Sequence, residues 1–509
     1  MVTALQGTQW FPSKGVYLNS PGHAAPNDMA SDGYDFVICN GVALEKRPGY
    51  DRVNSVPISA SASVIGLHSL YLSNGNNYEL ILGSSGTVYT DVNGVCTASA
   101  VGGVYISDPV DYCQHLDTGI FVNGSSNPIT WNGTVAGNIS AAPSAGISCA
   151  AHLNKLFIAI KSTSQFKYCA TGSLHTWTGA GTDTVNVDQN NGQDIVALKS
   201  FARNELIIFK ENSMYKFVGE TATNFTLIKI DDSIGCSCVK SIKNYRSATG
   251  GGLMIWAYRD GIYAYDGTVP RKISGYIQAF WDTLNKSRFK WMDSCIDNDN
   301  GRYLLSCSIG SATTNTRIIC IDLTQPWTDA EGLHMPITIW RVSAQSLNNE
   351  INATTNEQRL VFGEHLGRKS YFDSDLLADN GGGITVSVST PLMPFDGSLG
   401  IENCLRRLFG SFKTTGGTVD LYYNSDDSSD DVYVGQITLD AAGGTYRLGI
   451  DFEIGVSSIG VPQASNFRRA NISARGERLK VKMESTSAYQ GFTMYSPIEF
   501  FFKGGGQRA

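Results

Sequence analysis

Between residues 61 and 345 the chain repeats a loose unit at intervals of roughly 40–50 residues, the spacing of propeller blades. The units include LHSLYLSNGNNYELILGSSGTVYTDVNG, YCQHLDTGIFVNGSSNPITWNGT, IVALKSFARNELIIFKENSMYKFVGET and SCIDNDNGRYLLSCSIGSATTNTRIICIDL. Each has a strand, a polar turn, a short apolar strand, a Gly/Asn/Ser turn and a further strand. Runs such as ELIIFKENSMYKF and DGIYAYDG alternate and then stop at turn residues, which is a hairpin signal. A lone four-stranded blade cannot bury both faces, whereas blades set around an axis do so and leave only short edges. Six units are readable, and RLVFGEHLGRKSYFDSDL (359–376) reads as a further hairpin that completes or extends the ring. The competing architecture is a set of separate sandwiches. Trp-Asp and Gly-His marks of the WD40 type do not recur.

Composition supports an all-β reading. Of 509 residues, 54 are Gly, and only 17% are charged. Ser, Thr, Asn, Val and Ile favour strands and turns over helix. Four zones follow. Residues 1–60 read as an arm with a docking strand and a basic turn, and 61–345 as the propeller. Residues 346–383 form a connecting segment or complete the propeller, and 384–509 a C-terminal β-sandwich or open sheet. Within the last zone TVDLYYNSDD and VYVGQITLD flank an acidic turn whose spacing does not fit a calcium loop. DNDNG, 297–301, reads as a plain turn. One helix is expected in 273–291, where Ile277, Phe280, Trp281 and Leu284 share a helical face. It packs either across the rim or against a neighbouring subunit.

The formal charge is −7, and no Lys/Arg track runs along the chain. Tight nucleic-acid binding needs such a track, whereas an acidic wall repels DNA and lets it pass. Eleven cysteines show no disulfide or zinc spacing; Cys236 and Cys238, the one close pair, read as small buried residues. Unpaired thiols at this density fit a reducing cytoplasm. No signal peptide and no apolar run of membrane-spanning length is present.

Catalytic motifs are absent too. There is no Asp-box, nucleophile elbow, P-loop or HExxH. Carboxylate pairs such as Asp231/Asp232 and Asp373/Asp375 serve glycosidase chemistry only if the fold sets two of them across a cleft. The chain is therefore expected to be no enzyme and to need no cofactor. Trp131, Trp177 and Trp256 are candidates for sugar stacking, or for blade cores.

The stretch NGVALEKRPGYDRV, residues 40–53, sets Lys46, Arg47 and Arg52 around a Pro48-Gly49 turn. It reads as an assembly joint whose cations pair with carboxylates of the same or an adjacent subunit. The arm pattern W…KG…N…P…D…Y…V…G…KRPGY is followed by a weak propeller, by LVFGEHLGRKSYFDSD, and by RGERLKVKMES…FTMYSPIEFFFKGGGQR. This order resembles the tail hub, or nozzle, proteins of short-tailed bacteriophages, the group of packaged-DNA stabilisation proteins and tail tubular protein B. The end reads Gly504-Gly505-Gly506-Gln507-Arg508 where a plain Gly-Arg is expected.

The resemblance implies a structural virion protein, assembled in the host cytoplasm. It implies a homohexameric ring below the portal-adaptor (head-to-tail connector) ring, with tail fibre, tailspike or tail needle proteins as further partners. Double-stranded DNA would be retained and then passed through the lumen without specific binding. Lys46, Arg47, Pro48 and Gly49 are the first expected interface element. Arg468, Arg469, Arg475 and Arg478 are the second, facing an adaptor or a neighbour; a solvated strand face is the plain alternative. A carbohydrate-binding or depolymerising propeller is the competing function.

Overall fold

The computed structural model describes residues 6–19, 24–59, 62–92, 94–99, 101, 108–246, 251–330, 332–352, 357–393, 401–413, 417–425, 430–439, 465–476, 478–486 and 490–507. Within them the chain is an all-β, propeller-like protein. Seven antiparallel sheets succeed one another, at 64–98, 111–138, 146–186, 195–231, 243–272, 293–340 and 346–373. We number these blades 1 to 7. Innermost strands touch from blade 2 to 4 and from blade 5 to 7; the Tyr112 hydroxyl donates to the Ser69 carbonyl between blades 1 and 2, and the Asn244 side chain to the Ser200 carbonyl between blades 4 and 5. Ser346–Ile351 of blade 7 returns to Val64–Tyr71 of blade 1, which closes the ring.

The buried middle strands explain why blades form from these residues. Lys155–Ile160 and Glu205–Lys210 are apolar on both faces, because each face packs on a neighbouring blade. Phe157, Phe166 and Tyr168 of blade 3 meet Phe217 and Tyr215 of blade 4 in one cluster. Trp256 of blade 5 packs on Phe209 of blade 4, ring centres 5.1 Å apart.

Blade count and zone boundaries differ from the sequence expectation. Of the two readings of 346–383, a connector and a completion of the ring, the structure shows the second: Ser346–Ile351, Gln358–Gly363 and Lys369–Asp373 are the first three strands of blade 7. Its fourth strand is Gly49–Arg52, from the other end of the chain. The N-terminal arm docks through several strands rather than one. Gln6–Trp10 and Ala43–Lys46 pair with Thr493–Gln507. Phe36–Cys39 pairs with Ala43–Lys46, and Asp32–Tyr34 with Val386–Ser389.

These strands complete a C-terminal β-sandwich. One sheet runs Phe36–Cys39, Ala43–Lys46, Thr493–Gln507, Ile401–Lys413, Ser465–Gly476. The other runs Asp32–Tyr34, Val386–Ser389, Leu479–Ser485, Thr418–Ser425, Val432–Thr438. In LKVKMES the alternation is strict: Leu479, Val481 and Met483 face inward while Lys480 and Lys482 face out, as a one-face-buried strand requires. The sandwich core continues into blades 5 and 6 through Trp10, Phe11, Val16 and Ala30. At Gly15 the chain passes so close to blade 6 that a Cβ would lie 2.4 Å from the Ile337 carbonyl oxygen, and φ is +88°; only glycine fits there.

The expected helix is short. Gln278–Asp282 is α-helical, flanked by 3-10 turns Gly275–Ile277 and Lys286–Trp291. Ile277, Trp281 and Leu284 are buried in the chain's own core. The apolar face thus bridges blades 5 and 6, and Thr283 and Asn285 turn the chain before a longer helix forms. DNDNG is the turn of blade 6, with Asp297 accepting from the Asn300 amide. Most of the acidic turn at 426–431 lies outside the described residues.

Candidate functional site

The Lys46-Arg47-Pro48-Gly49 turn joins the two bodies. Strand Ala43–Lys46 belongs to the sandwich and Gly49–Arg52 to blade 7, so two residues carry the chain from one to the other. Lys46 and Arg47 are buried within this chain. The Lys46 ammonium donates to the Gln490 carbonyl at 2.8 Å and the Leu377 carbonyl at 3.4 Å. Burial, helped by the neighbouring Arg47, pulls its pKa down to about 8.

Arg47 is the centre of a charge relay. Its Nε donates to Asp35 at 2.8 Å, and its two terminal nitrogens grip Asp379 at 2.9 and 2.5 Å. Burial disfavours the guanidinium, but the bonds to Asp379 and the charge of Asp35 more than offset this and hold its pKa above the ordinary value. Asp35 also takes Arg341, at 2.6 Å through Nε, and the Arg341 amide at 2.7 Å. It does so from a left-handed backbone, φ 62°, a conformation aspartate tolerates better than most residues. Gly49 is fixed by space: a Cβ would lie 2.5 Å from the Ala378 oxygen and 2.6 Å from that of Leu376. The sandwich, blade 6 and blade 7 are thereby tied at one buried point.

Three members of the second predicted cluster lie on strand Ser465–Gly476, the last of its sheet among the described residues. Arg468 and Arg469 stand opposite Gly410 and Phe409, and Arg475 opposite Cys404. The side chains of Arg468 and Arg469 lie outside the described residues. Arg475 is exposed and Arg478, in the following turn, is half-buried. The two predicted sets are therefore separate: one is internal to the chain, and the described part of the other faces outward.

Three features escaped sequence reading. The first is the closed axis. Lys199 of blade 4 pairs with Asp111 of blade 2 at 2.9 Å. Lys240, just before blade 5, pairs with Asp293 of blade 6 at 2.8 Å and donates to the Ile65 carbonyl of blade 1 at 2.7 Å. Both are chords across the ring. Asp108 adds a third link, holding Lys161 at 2.5 Å and Lys290 at 3.2 Å. What remains on the axis is a cavity of about 280 Å³ lined by inner strands. The second is the seam between blades 7 and 1, where buried Lys369 bridges Asp91 at 2.6 Å and Glu350 at 2.5 Å. Arg359 holds the same Glu350 at 2.5 Å. Beside them Glu79 accepts from Ser69 at 2.7 Å; burial, then the charge of Glu350, push its pKa up to about 8. The third is the identity of the partners of Arg47: pairing with carboxylates of the same or an adjacent subunit was expected, but Asp35 and Asp379 were not singled out. The pairs that cross between distant parts of the chain, such as Lys199 with Asp111, 88 residues apart, and Arg47 with Asp379, 332 apart, are marked by no local pattern.

The other candidates fall into place as structure. Trp131, Trp177 and Trp256 are buried and present no ring face to a sugar. Cys236 and Cys238 are buried in a loop rather than a strand; burial raises both thiols, Cys238 to about 11. Asp231 accepts from the amides of Ser233 and Ile234, and Asp373 from that of Asp375, so both carboxylate pairs shape turns. Among the described residues no three His, Cys, Asp or Glu side chains are grouped to hold a metal. No helix there is long and apolar enough to cross a membrane.

No protein-family description matches the chain, and no curated protein matches it. Among solved structures it is similar to the extracellular domain of the putative one component system BT4673 from B. thetaiotaomicron (TM-score 0.42, 11% identity, over 79% of this chain and 48% of that one). This chain thus spans about half the length of that protein. It is also similar to the computationally designed Ika8 protein (TM-score 0.38, 9% identity, 63% of this chain and 99% of that one). The N-terminal domain of Nup159 gives TM-score 0.38 and 11% identity, over 64% of this chain and 95% of that one.

Proposed function

We propose that this chain is a structural, non-catalytic virion protein of the tail hub or nozzle type of short-tailed bacteriophages. Six copies form a ring below the portal-adaptor, retain the packaged genome and pass it during ejection. The observation that carries the reading is the position of Lys46-Arg47-Pro48-Gly49, the motif most specific to the resemblance. It lies at the buried junction where the N-terminal strands, having completed the sandwich, enter blade 7. A motif held there serves a rigid two-body subunit, which is what a ring component under ejection load requires.

Two further features support it. Each propeller's own axis is crossed by ion pairs and leaves about 280 Å³, far too little for a duplex whose major groove alone is about 12 Å wide; a DNA passage then runs between copies. The strand Ser465–Gly476 ends its sheet among the described residues and carries the outward Arg475, a place for a neighbour or adaptor to dock. In this reading Arg475 and Arg478 touch partners, while Lys46 and Arg47 act from inside by fixing the angle between sandwich and propeller. The sugar-binding alternative loses its three candidate indoles. Native mass spectrometry of the purified chain with its adaptor tests the proposal: six copies per complex support it, and a chain that stays monomeric and degrades polysaccharide overturns it.

A further inference from the structure

We propose that the axial cavity of the propeller is a binding site for a small phosphate-type oxyanion, with Lys243 as its free cation. The cavity is built from the inner strands of several blades and holds about 280 Å³, room for about nine waters at ~30 Å³ each. That suits a tetrahedral anion with part of its hydration.

The charges around it do not balance. Lys199, Lys240 and Lys243 line the cavity against Asp111 and Asp293. Lys199 is taken by Asp111 and Lys240 by Asp293. Lys243, half-buried in the first strand of blade 5, has neither a hydrogen bond nor an ion pair through its ammonium among the described residues. Three ammonium groups and two carboxylates leave one positive charge in a confined site, within a protein whose overall charge is −7. A confined cation without a partner is costly, and an anion supplies the missing partner through charge-assisted bonds.

His68 reports the same field from the wall. Its ring lies on that of Tyr112, centres 4.6 Å apart, and its Nε2 is shut off from solvent without a partner. Burial, with Lys240, Lys243 and Lys199 adding to it, holds its pKa well below the ordinary value. The imidazole stays neutral, so the lysines rather than the histidine supply the charge. A volume of about 280 Å³ suits an anion of a few heavy atoms, so free phosphate rather than a nucleic-acid backbone is the proposed occupant.

The test is calorimetric titration of the full-length chain with inorganic phosphate at low ionic strength. One saturable site per chain is expected. Lys243→Gln should weaken it at least about tenfold, the equivalent of one charge-assisted hydrogen bond. Lys243→Arg should retain it, and Lys229→Gln, on the outer strand of blade 4, should leave it unchanged. Circular dichroism of each variant excludes misfolding as the cause. No saturable binding by the unmodified chain up to about 10 mM, a Kd weaker than ~1 mM, overturns the proposal. So does Lys243→Gln binding as tightly as the unmodified chain. The readout does not depend on ring assembly, so its failure leaves the hub reading intact.

Discussion

Replacing Arg47 by methionine keeps the bulk of the side chain and removes its charge. Three charge-assisted bonds vanish, one to Asp35 and two to Asp379. Two carboxylates then face each other across an apolar plug. Breaking a buried ion pair from one side costs about 3–5 kcal/mol, because the surviving charge stays buried without a partner. Two features place this case near the lower end. Asp35 keeps Arg341 at 2.6 Å, and the Asp379 side chain is 20% exposed and so regains some water. The expected loss is about 3 kcal/mol. Urea unfolding followed by tryptophan fluorescence measures it, and Trp340, whose indole donates to the Phe36 carbonyl beside the joint, reports locally. A double-mutant cycle of Arg47→Met with Asp379→Asn should return a coupling of about 2 kcal/mol, within the range of bonds to charged groups. Arg475→Ala, at an exposed position, should stay within about 0.5 kcal/mol of the parent. If Arg47→Met also stays within that margin, the joint is not held by this relay and the account of the arm fails.

Two more expectations concern the same framework. Gly49→Ala sets a methyl group 2.5 Å from the Ala378 oxygen and 2.6 Å from that of Leu376; backbone must move, and a loss of about 1–3 kcal/mol is expected in the same unfolding assay. At the seam of blades 7 and 1, Glu79 holds its proton to about pH 8 in the folded chain against 4.5 when free. The unfolded chain therefore binds fewer protons than the folded one between those values, and stability falls as pH rises from 4.5 to 8. Melting curves across that window should show the decline. Glu79→Gln, which mimics the protonated acid beside Glu350, Asp91 and Lys369, should flatten it.

The blades were legible because each is a chain of local hairpins. Turn residues and alternating runs within 30 residues define blades 1 to 6, and the hairpin of 359–376 marks most of blade 7. What closes the ring was not legible. Gly49–Arg52 joins blade 7 at Lys369–Asp373, and Gln6 pairs with Phe502; such pairings leave no periodic signal. The helix was overread because apolar spacing at Ile277, Trp281 and Leu284 is equally satisfied by a single turn between 3-10 segments. The basic turn stood out in the sequence, yet burial of Lys46 and Arg47 depends on Asp35, Asp379 and Gln490, which composition does not place nearby. Trp131, Trp177 and Trp256 illustrate the converse: indoles of the kind that stack on sugars here fill the space between neighbouring blades.

In the proposed function, this chain builds a ring whose passage lies between copies rather than through any propeller. Electron cryomicroscopy of the chain assembled with its adaptor tests it most directly. The account predicts six copies around one axis, each propeller closed by Lys199–Asp111 and Lys240–Asp293, with an opening wide enough for a duplex at the shared centre. A single copy at a fibre or spike position, or density for DNA running through a propeller's own axis, would contradict it.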